Sequence, residues 1–207
     1  PSEQLEALEK ASPGPPFGGM IGRPLHAASL DILQINTGKR CNLSCRHCHV
    51  DAGPGRTELM GRGIFEKCLE VLDRYDIGTI DITGGAPEMN PELPWFIHEA
   101  AALGRRLMVR SNLAVLLEDG YEHFMNLYAS HGVEVVGSLP DYRMERTDRQ
   151  RGAGLFDRAI EAMRRLNALG YAQPGSPLVL DLVHNPVGTY LPASQAALEH
   201  EYRTRLK

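Results

Sequence analysis

From Asp31 onward, short apolar runs alternate with longer stretches of helical periodicity, and this alternation constrains the fold more than any other feature. The strand-like runs are Asp31–Asn36, Thr79–Thr83, Leu107–Ser111, Val133–Leu139 and Leu178–His184. Between them apolar residues recur at helical spacing, as in Ile64, Phe65, Cys68, Leu69 and Leu72, and again in Phe156, Ala159, Ile160, Met163 and Leu166. Asn90 reads as a helix N-cap with Pro91 at the first helical position, and that helix closes at Gly104. The later helices stop at Gly132 and Gly170, and a last one starts near Pro192. Strands separated by helices of this length pair in parallel through right-handed crossovers. The chain therefore reads as an α/β fold of about five βα units.

The faces of these strands choose between an open sheet and a barrel. Aligning them gathers Gln34, Asn36, Asp81, Thr83, Arg110, Asn112, Glu134, Ser138, Asp181 and Asn185 on one side, with Ile32 as an apolar exception. Leu33, Ile35, Ile80, Ile82, Val109, Val135, Leu180 and Leu182 fall on the other. A flat sheet covered by helices on both faces is apolar on both. One polar face predicts a partial parallel (β/α) barrel curved around a wet cavity. Ahead of it, Ser2–Lys10 reads as a short helix and Ser12–Pro16 as a linker, so residues 1–30 are expected to be an extension and 31–207 the core domain.

Cys41, Cys45 and Cys48 lie in one loop directly after the first strand. In parallel α/β folds ligands gather at the carboxyl ends of the strands. A four-iron, four-sulfur cluster normally takes four thiolates, so three in one loop leave one iron open to a small molecule. A structural zinc site completed by His47 or His49 is the alternative, since zinc accepts such mixtures. Structural zinc sites usually join two separated ligand pairs, and no second pair follows here. Cys68 falls on the apolar stripe of a helix and reads as a buried small hydrophobe. One unit later comes Thr83-Gly84-Gly85-Ala86-Pro87-Glu88, whose glycines would let a ligand approach the backbone. Asp141–Gly152 mixes four arginines with three acidic residues and reads as a solvated loop near the cavity mouth.

Composition narrows the setting. At 207 residues and 43% hydrophobic, the chain is long enough for one core. A net charge of −4 gives no basic surplus for nucleic acid or an anionic membrane. No apolar stretch is long enough to span a bilayer, and the acidic N-terminus lacks the apolar segment of a signal peptide. Of four cysteines, three sit in one loop, unlike a secreted disulfide scaffold, so a cytoplasmic, reducing setting is expected.

The Cys41-x-x-x-Cys45-x-x-Cys48 spacing, with Gly84-Gly85 after the second strand, resembles the signature of the radical SAM superfamily. The resemblance implies a barrel of the radical SAM type, a 4Fe–4S cluster on Cys41, Cys45 and Cys48, and S-adenosylmethionine (SAM) on the free iron. It sets His47 beside the SAM adenine, where an aromatic residue is usual. Gly84 and Gly85 stand for the Gly-Gly-Glu-Pro element that holds the methionine part, with Ala86 at the usual glutamate position and Glu88 two residues later. Asn112, Ser138 and Asn185 would reach the ribose or carboxylate of SAM, or else cap turns.

Longer stretches are similar to the arsenosugar-biosynthesis radical SAM proteins: Arg40–Glu58, Asp81–Pro91 with its Gly-Gly-Ala-Pro-Glu variant, Val133–Pro140 and Arg165–Tyr171. In that family the 5′-deoxyadenosyl group is joined to a trivalent methylated arsenical, and SAM is consumed. The resemblance implies a radical SAM enzyme with a small-molecule substrate and an electron donor such as flavodoxin or ferredoxin. This chain has Ser111 and Asp141 where that family carries cysteines. It stops after about five units where six and a cysteine-rich segment are usual, so a C-terminal part is expected to be missing. The alternatives are a radical SAM enzyme acting on another small molecule or a peptide by hydrogen abstraction, and a non-catalytic zinc or iron–sulfur module.

Overall fold

Five parallel strands pair in chain order: β1 (Ile32–Asn36), β2 (Thr79–Thr83), β3 (Arg106–Ser111), β4 (Glu134–Gly137) and β5 (Leu180–Leu182). A doubly wound sheet would reverse its strand order part-way. Unbroken order is that of a barrel wound in one sense, and here it is a partial one. The computed structural model describes residues 6, 7, 10, 11, 14, 15, 17–46, 48–185 and 191–206. The chain divides into two units, Pro1–Leu30 and Asp31–Lys207. In the first, α1 spans Phe17–Ile21, and the expected Ser2–Lys10 helix lies largely outside the described residues.

In the second unit, α2 (Arg62–Arg74), α3 (Leu93–Ala102), α4 (His123–Ser130), α5 (Met144–Arg151), α6 (Leu155–Ala168) and α7 (Gln195–Arg205) follow in order. The register aligns Ile35, Ile82, Val109, Val135 and Leu180 across the sheet. The first four are buried in a core with Phe65, Leu93, Phe96 and Leu166 from the helices. On the opposite face Ile32, Gln34, Asn36, Arg110 and Asp181 are exposed. Asp81 is buried there because its carboxylate accepts from Gln34 Nε2 at 2.7 Å and Arg110 Nε at 2.8 Å. The one-sided polarity legible in the sequence is thus a solvated sheet face with a paired charge at its middle.

Three boundaries differ from expectation. The helix after β2 begins at Leu93. Asn90 Oδ1 accepts from the Glu92 N–H at 2.9 Å, and its amide donates to the carbonyls of Thr37 and Met60, each at 2.9 Å. Its Oδ1 makes the bond expected of a cap, and its amide ties two further segments to the turn that leads into the helix. The stretch before Gly132 is broken into a short 3-10 turn, Ala114–Leu117, and α4. Asp141–Gly152 is not a solvated loop. It folds as α5, with Thr147 and Gln150 buried and Asp141 closing its first turn through Thr147. The inward face of α5 is polar, so no apolar period marks it in the sequence. Among the described residues no helix is long and apolar enough to cross a membrane.

Candidate iron–sulfur site

The carboxyl end of β1 runs through Thr37-Gly38-Lys39-Arg40 into the cysteine loop, and backbone pins it on two sides. On one side Lys39 N–H donates to Glu58 O at 2.8 Å, Gly53 N–H to Lys39 O at 3.1 Å and Cys41 N–H to Gly53 O at 3.2 Å. On the other, the turn after β2 presses in: Gly85 N–H donates to Gly38 O at 2.9 Å and Ala86 N–H to Arg40 O at 3.0 Å. A Cβ on Gly85 would run into the Arg40 carbonyl, and one on Gly84 would sit 2.8 Å from Thr37 Oγ1. The glycine pair therefore permits close backbone approach, but to the cysteine loop. The N–H groups of Gly85 and Ala86 are thereby taken up by the cysteine loop.

Donors converge on the thiols. Cys41 is buried, and its Sγ accepts from Leu43 N–H at 3.5 Å and from Asn112 Nδ2 at 3.7 Å. Cys48 Sγ accepts from Ala52 N–H at 3.1 Å. Cys45 and Cys48 are half-buried and line a cavity of about 360 Å³ with Ala52, Gly53 and Arg56. Burial pushes the Cys41 thiol up; Leu43 eases it, and the neighbouring Cys45 charge adds to the rise. Burial likewise raises Cys45, against the pull of the Arg151 guanidinium. Coordination to a metal centre offsets the cost of ionising thiols held this close together.

The donor set fits a four-iron cluster better than a single zinc ion. Tetrahedral zinc needs its sulfurs within about 2.3 Å of a single centre. A cubane takes each thiolate at a different iron, so its ligands stand farther apart while still sensing one another's charge. His49 is exposed, and His47 lies outside the described residues. Cys68 sits half-buried on α2 against the core, away from any ligand role.

The remaining expected residues divide sharply. Asn112 is brought to the site, but its amide is already engaged: besides Cys41 it donates to Asn42 Oδ1 at 2.8 Å, and its Oδ1 accepts from Val115 N–H at 2.9 Å. It supports the loop and, through Oδ1, caps the turn at Ala114–Leu117. Ser138 is half-buried at the end of β4, and Asn185 is exposed beyond β5. Ala86 and Glu88 are each 2% exposed, so neither side chain faces a cavity. Burial pushes the Glu88 carboxyl up. Ser111 and Tyr128 lie close enough to soften that rise, yet neither carboxylate oxygen has a well-formed hydrogen bond. Ser111 is fully buried and accepts from Leu113 N–H at 3.1 Å. Burial pushes the Asp141 carboxyl up, but Arg143 and Arg146 overcome this and hold it below the usual carboxylate range. A residue at either position points into protein, not into the open site.

The Radical SAM superfamily model matches residues 35–184, from the end of β1 past β5. The chain belongs to the radical SAM superfamily. A 4Fe–4S cluster and SAM are its cofactors. A probable GTP 3′,8-cyclase of Saccharolobus islandicus is 24% identical over 165 residues, covering 80% of this chain and 50% of the cyclase. Mycofactocin maturase MftC of Mycobacterium ulcerans is 30% identical over 132 residues, covering 64% of this chain and 35% of the maturase. The chain thus spans about half the length of the cyclases and a third of the maturases it matches. Among solved structures, Streptococcus suis SuiB bound to the precursor peptide SuiA superposes with a TM-score of 0.62 at 16% identity, covering 86% of this chain and 37% of SuiB. SuiB bound to SAM gives 0.58 at 17% identity, covering 85% of this chain and 47% of that one. These structures share the radical SAM barrel fold.

Two contributors were not legible in the sequence. Asn42 links the loop outward, donating to Glu118 Oε1 at 3.2 Å, and Glu118 in turn pairs with Arg158 at 2.7 Å. Arg151, in the last turn of α5, is half-buried, and its charge pulls against the rise of the Cys45 thiol. Its place in a run of mixed charge gave no signal.

Proposed function

We propose that this radical SAM chain cleaves SAM reductively at a cluster held by Cys41, Cys45 and Cys48, and transfers the 5′-deoxyadenosyl group to a trivalent methylated arsenical. One observation carries the first part: three free thiols stand at the carboxyl end of β1 on a loop locked by the Gly84–Ala86 turn. When bound, the reduced cluster supplies one electron to the SAM sulfonium, whose bond to the 5′ carbon then breaks. The chain's own part is to fix the ligands and exclude water. Leu43 and Ala52 N–H groups and the Asn112 amide donate to Cys41 and Cys48 and orient the sulfurs. Gly84 and Gly85 let the β2 turn close over the loop. His47, Ser138 and Asn185 remain the candidates for direct contact with SAM. The arsenical reading is supported by the Gly-Gly-Ala-Pro-Glu variant and the matching stretches around it. The donor would be a small one-electron protein such as flavodoxin or ferredoxin.

The likeness to mycofactocin maturase favours a second reading, hydrogen abstraction from a peptide or another small molecule. One experiment separates the two. The chain is reconstituted anaerobically with iron and sulfide, reduced, and given SAM with and without dimethylarsinous acid. An adenosyl–arsenic conjugate supports arsenical transfer. Free 5′-deoxyadenosine in both arms favours the second reading. Neither product from an iron-loaded chain removes the enzymatic reading. Cys45→Ala should abolish iron loading and Cys68→Ala should leave it intact; equal loss in both would overturn the ligand assignment.

A further inference from the structure

Two imidazoles from different helices meet on the outside of the barrel. His98, exposed on α3, sets its Nδ1 against Nε2 of His131, the residue that closes α4. The nitrogens stand 3.4 Å apart and the rings are turned 81° from one another. His131 Nδ1 lies 3.0 Å from Leu127 O, which can only accept, so that nitrogen carries the proton and Nε2 presents a lone pair. Ser130 Oγ lies 3.0 Å from the same Nδ1 and donates to the same carbonyl at 2.9 Å, which holds the ring in place. With its own proton on Nε2, His98 presents a second lone pair at Nδ1. A separation of 3.4 Å exceeds the range of about 2.7–3.2 Å usual for an N–H donor. Two imidazoles on one tetrahedral zinc ion, each about 2.0–2.1 Å from it, hold their nitrogens about 3.4 Å apart.

We infer that His98 and His131 form a two-imidazole site for a divalent transition ion of the zinc class, which staples α3 to the end of α4. Imidazole suits zinc, nickel and copper alike. A ligating histidine usually donates its other ring N–H to a carbonyl or carboxylate, which fixes the tautomer, and Leu127 O does this for His131. The ion would also lie at the C-cap of α4, where unpaired helix carbonyls leave a negative pole. His98, being exposed, has room to turn its ring onto the ion. Water fills the remaining positions, so the ion is held less tightly than in a closed site of four protein ligands. His131 precedes β4, at the amino ends of the parallel strands, whereas the cysteine loop leaves the carboxyl end of β1. The ion therefore fastens helices and takes no part in chemistry at the thiols. A plain hydrogen bond between the rings predicts no metal uptake at all.

The test titrates zinc chloride by calorimetry into the chain reconstituted anaerobically with iron and sulfide, and into His98→Gln, His131→Gln and His200→Gln prepared in the same way. All four share the same cysteines, so any zinc taken up there cancels in the comparison. The parent should bind one more zinc ion per chain than His98→Gln or His131→Gln, or bind it at least about tenfold more tightly. His200→Gln, altered on an exposed position of α7, should match the parent. Zinc should raise the urea midpoint of the parent and leave those of His98→Gln and His131→Gln where they were. Undiminished uptake in either of these two variants, an equal loss in His200→Gln, or a parent that binds no more zinc than they do, overturns the inference.

Discussion

Where β1 and β2 end, glycines let backbone close on backbone with no room for a side chain; where β4 and β5 end, main-chain bonds from Val183 N–H to Gly137 O at 2.9 Å and from Asn185 N–H to Pro140 O at 3.1 Å are supplemented by side chains. At the first place Gly38, Arg40, Gly85 and Ala86 bond main chain to main chain with no room for a Cβ. At the second, Tyr202 Oη donates to Leu139 O at 2.8 Å and Gln150 reaches Asn185 O, while Leu180 and Leu182 are only half-buried. A cavity of about 550 Å³ lies beside β5 among Met163, Leu180, Asp181 and Tyr202. It contains none of the cysteines. The difference follows from what each end must do. A loop already fixed costs less ordering when its thiolates take up a cluster, and main-chain contacts fix a loop with less conformational freedom than long side chains do.

Gly85→Ala should produce the largest effect. Its methyl group meets the Arg40 carbonyl, and neither backbone can retreat without breaking the bonds that hold Cys41. We expect a loss of about 3 kcal/mol in urea unfolding, together with failure to retain iron. Gly78→Ala is the matched control, since a Cβ there meets nothing within 4 Å. It should stay within about 0.5 kcal/mol of the parent. Equal midpoints for the two variants would break the comparison.

Asn90→Ala comes next. It removes both amide bonds to Thr37 and Met60 and leaves buried carbonyls without them. About 2 kcal/mol should be lost. Iron retention should fall with stability, because Thr37 begins the loop that carries the cysteines. Full iron retention in a destabilised variant would show that Asn90 serves the fold alone.

The same two residues show what a sequence can and cannot reveal. The five strands are legible because burial on one face leaves an alternation that any aligned set of strands displays. The cysteine loop is legible because three soft ligands at such short spacing rarely serve anything but a metal centre. Asn90 reads as a cap because capping chemistry is local in sequence, whereas its amide partners lie 53 and 30 residues away. Gly84 and Gly85 read as open backbone, since nothing in one dimension says that Gly85 also closes on Arg40. Arg151 is silent because a charge turned inward looks, along the chain, like a charge turned outward. Ser111 and Asp141 are marked by resemblance, but their burial is a property of the folded sheet and of α5.

Glu88→Gln sharpens the comparison through pH. The carboxyl is held above its ordinary value of 4.5, chiefly by burial, so the folded chain grips this proton more tightly than the unfolded one. The stability it contributes is complete below about pH 4.5 and drains away as the pH climbs through the raised folded value. Glutamine keeps the shape without the ionisation. We expect Gln to be about 1–2 kcal/mol more stable than Glu at pH 8 and nearly equal at pH 5. Parallel urea midpoints at both pH values would mean that Glu88 is not held neutral.

Tyr202→Phe probes the other end and should have the smallest effect. The ring is kept, with its edge-on contacts to Tyr142 at 5.5 Å and His184 at 5.8 Å. Only the hydroxyl goes, and with it the bond to Leu139 O and the 3.1 Å contact to His184 Nδ1. About 1 kcal/mol should be lost. Iron retention and the cluster midpoint should not move, because no main-chain bond of the cysteine loop passes through Tyr202. A variant that lost iron as Gly85→Ala does would mean that the β4–β5 end holds the thiols as firmly as the β1–β2 end. The division between a glycine-packed site and an edge supplemented by side chains would then fail.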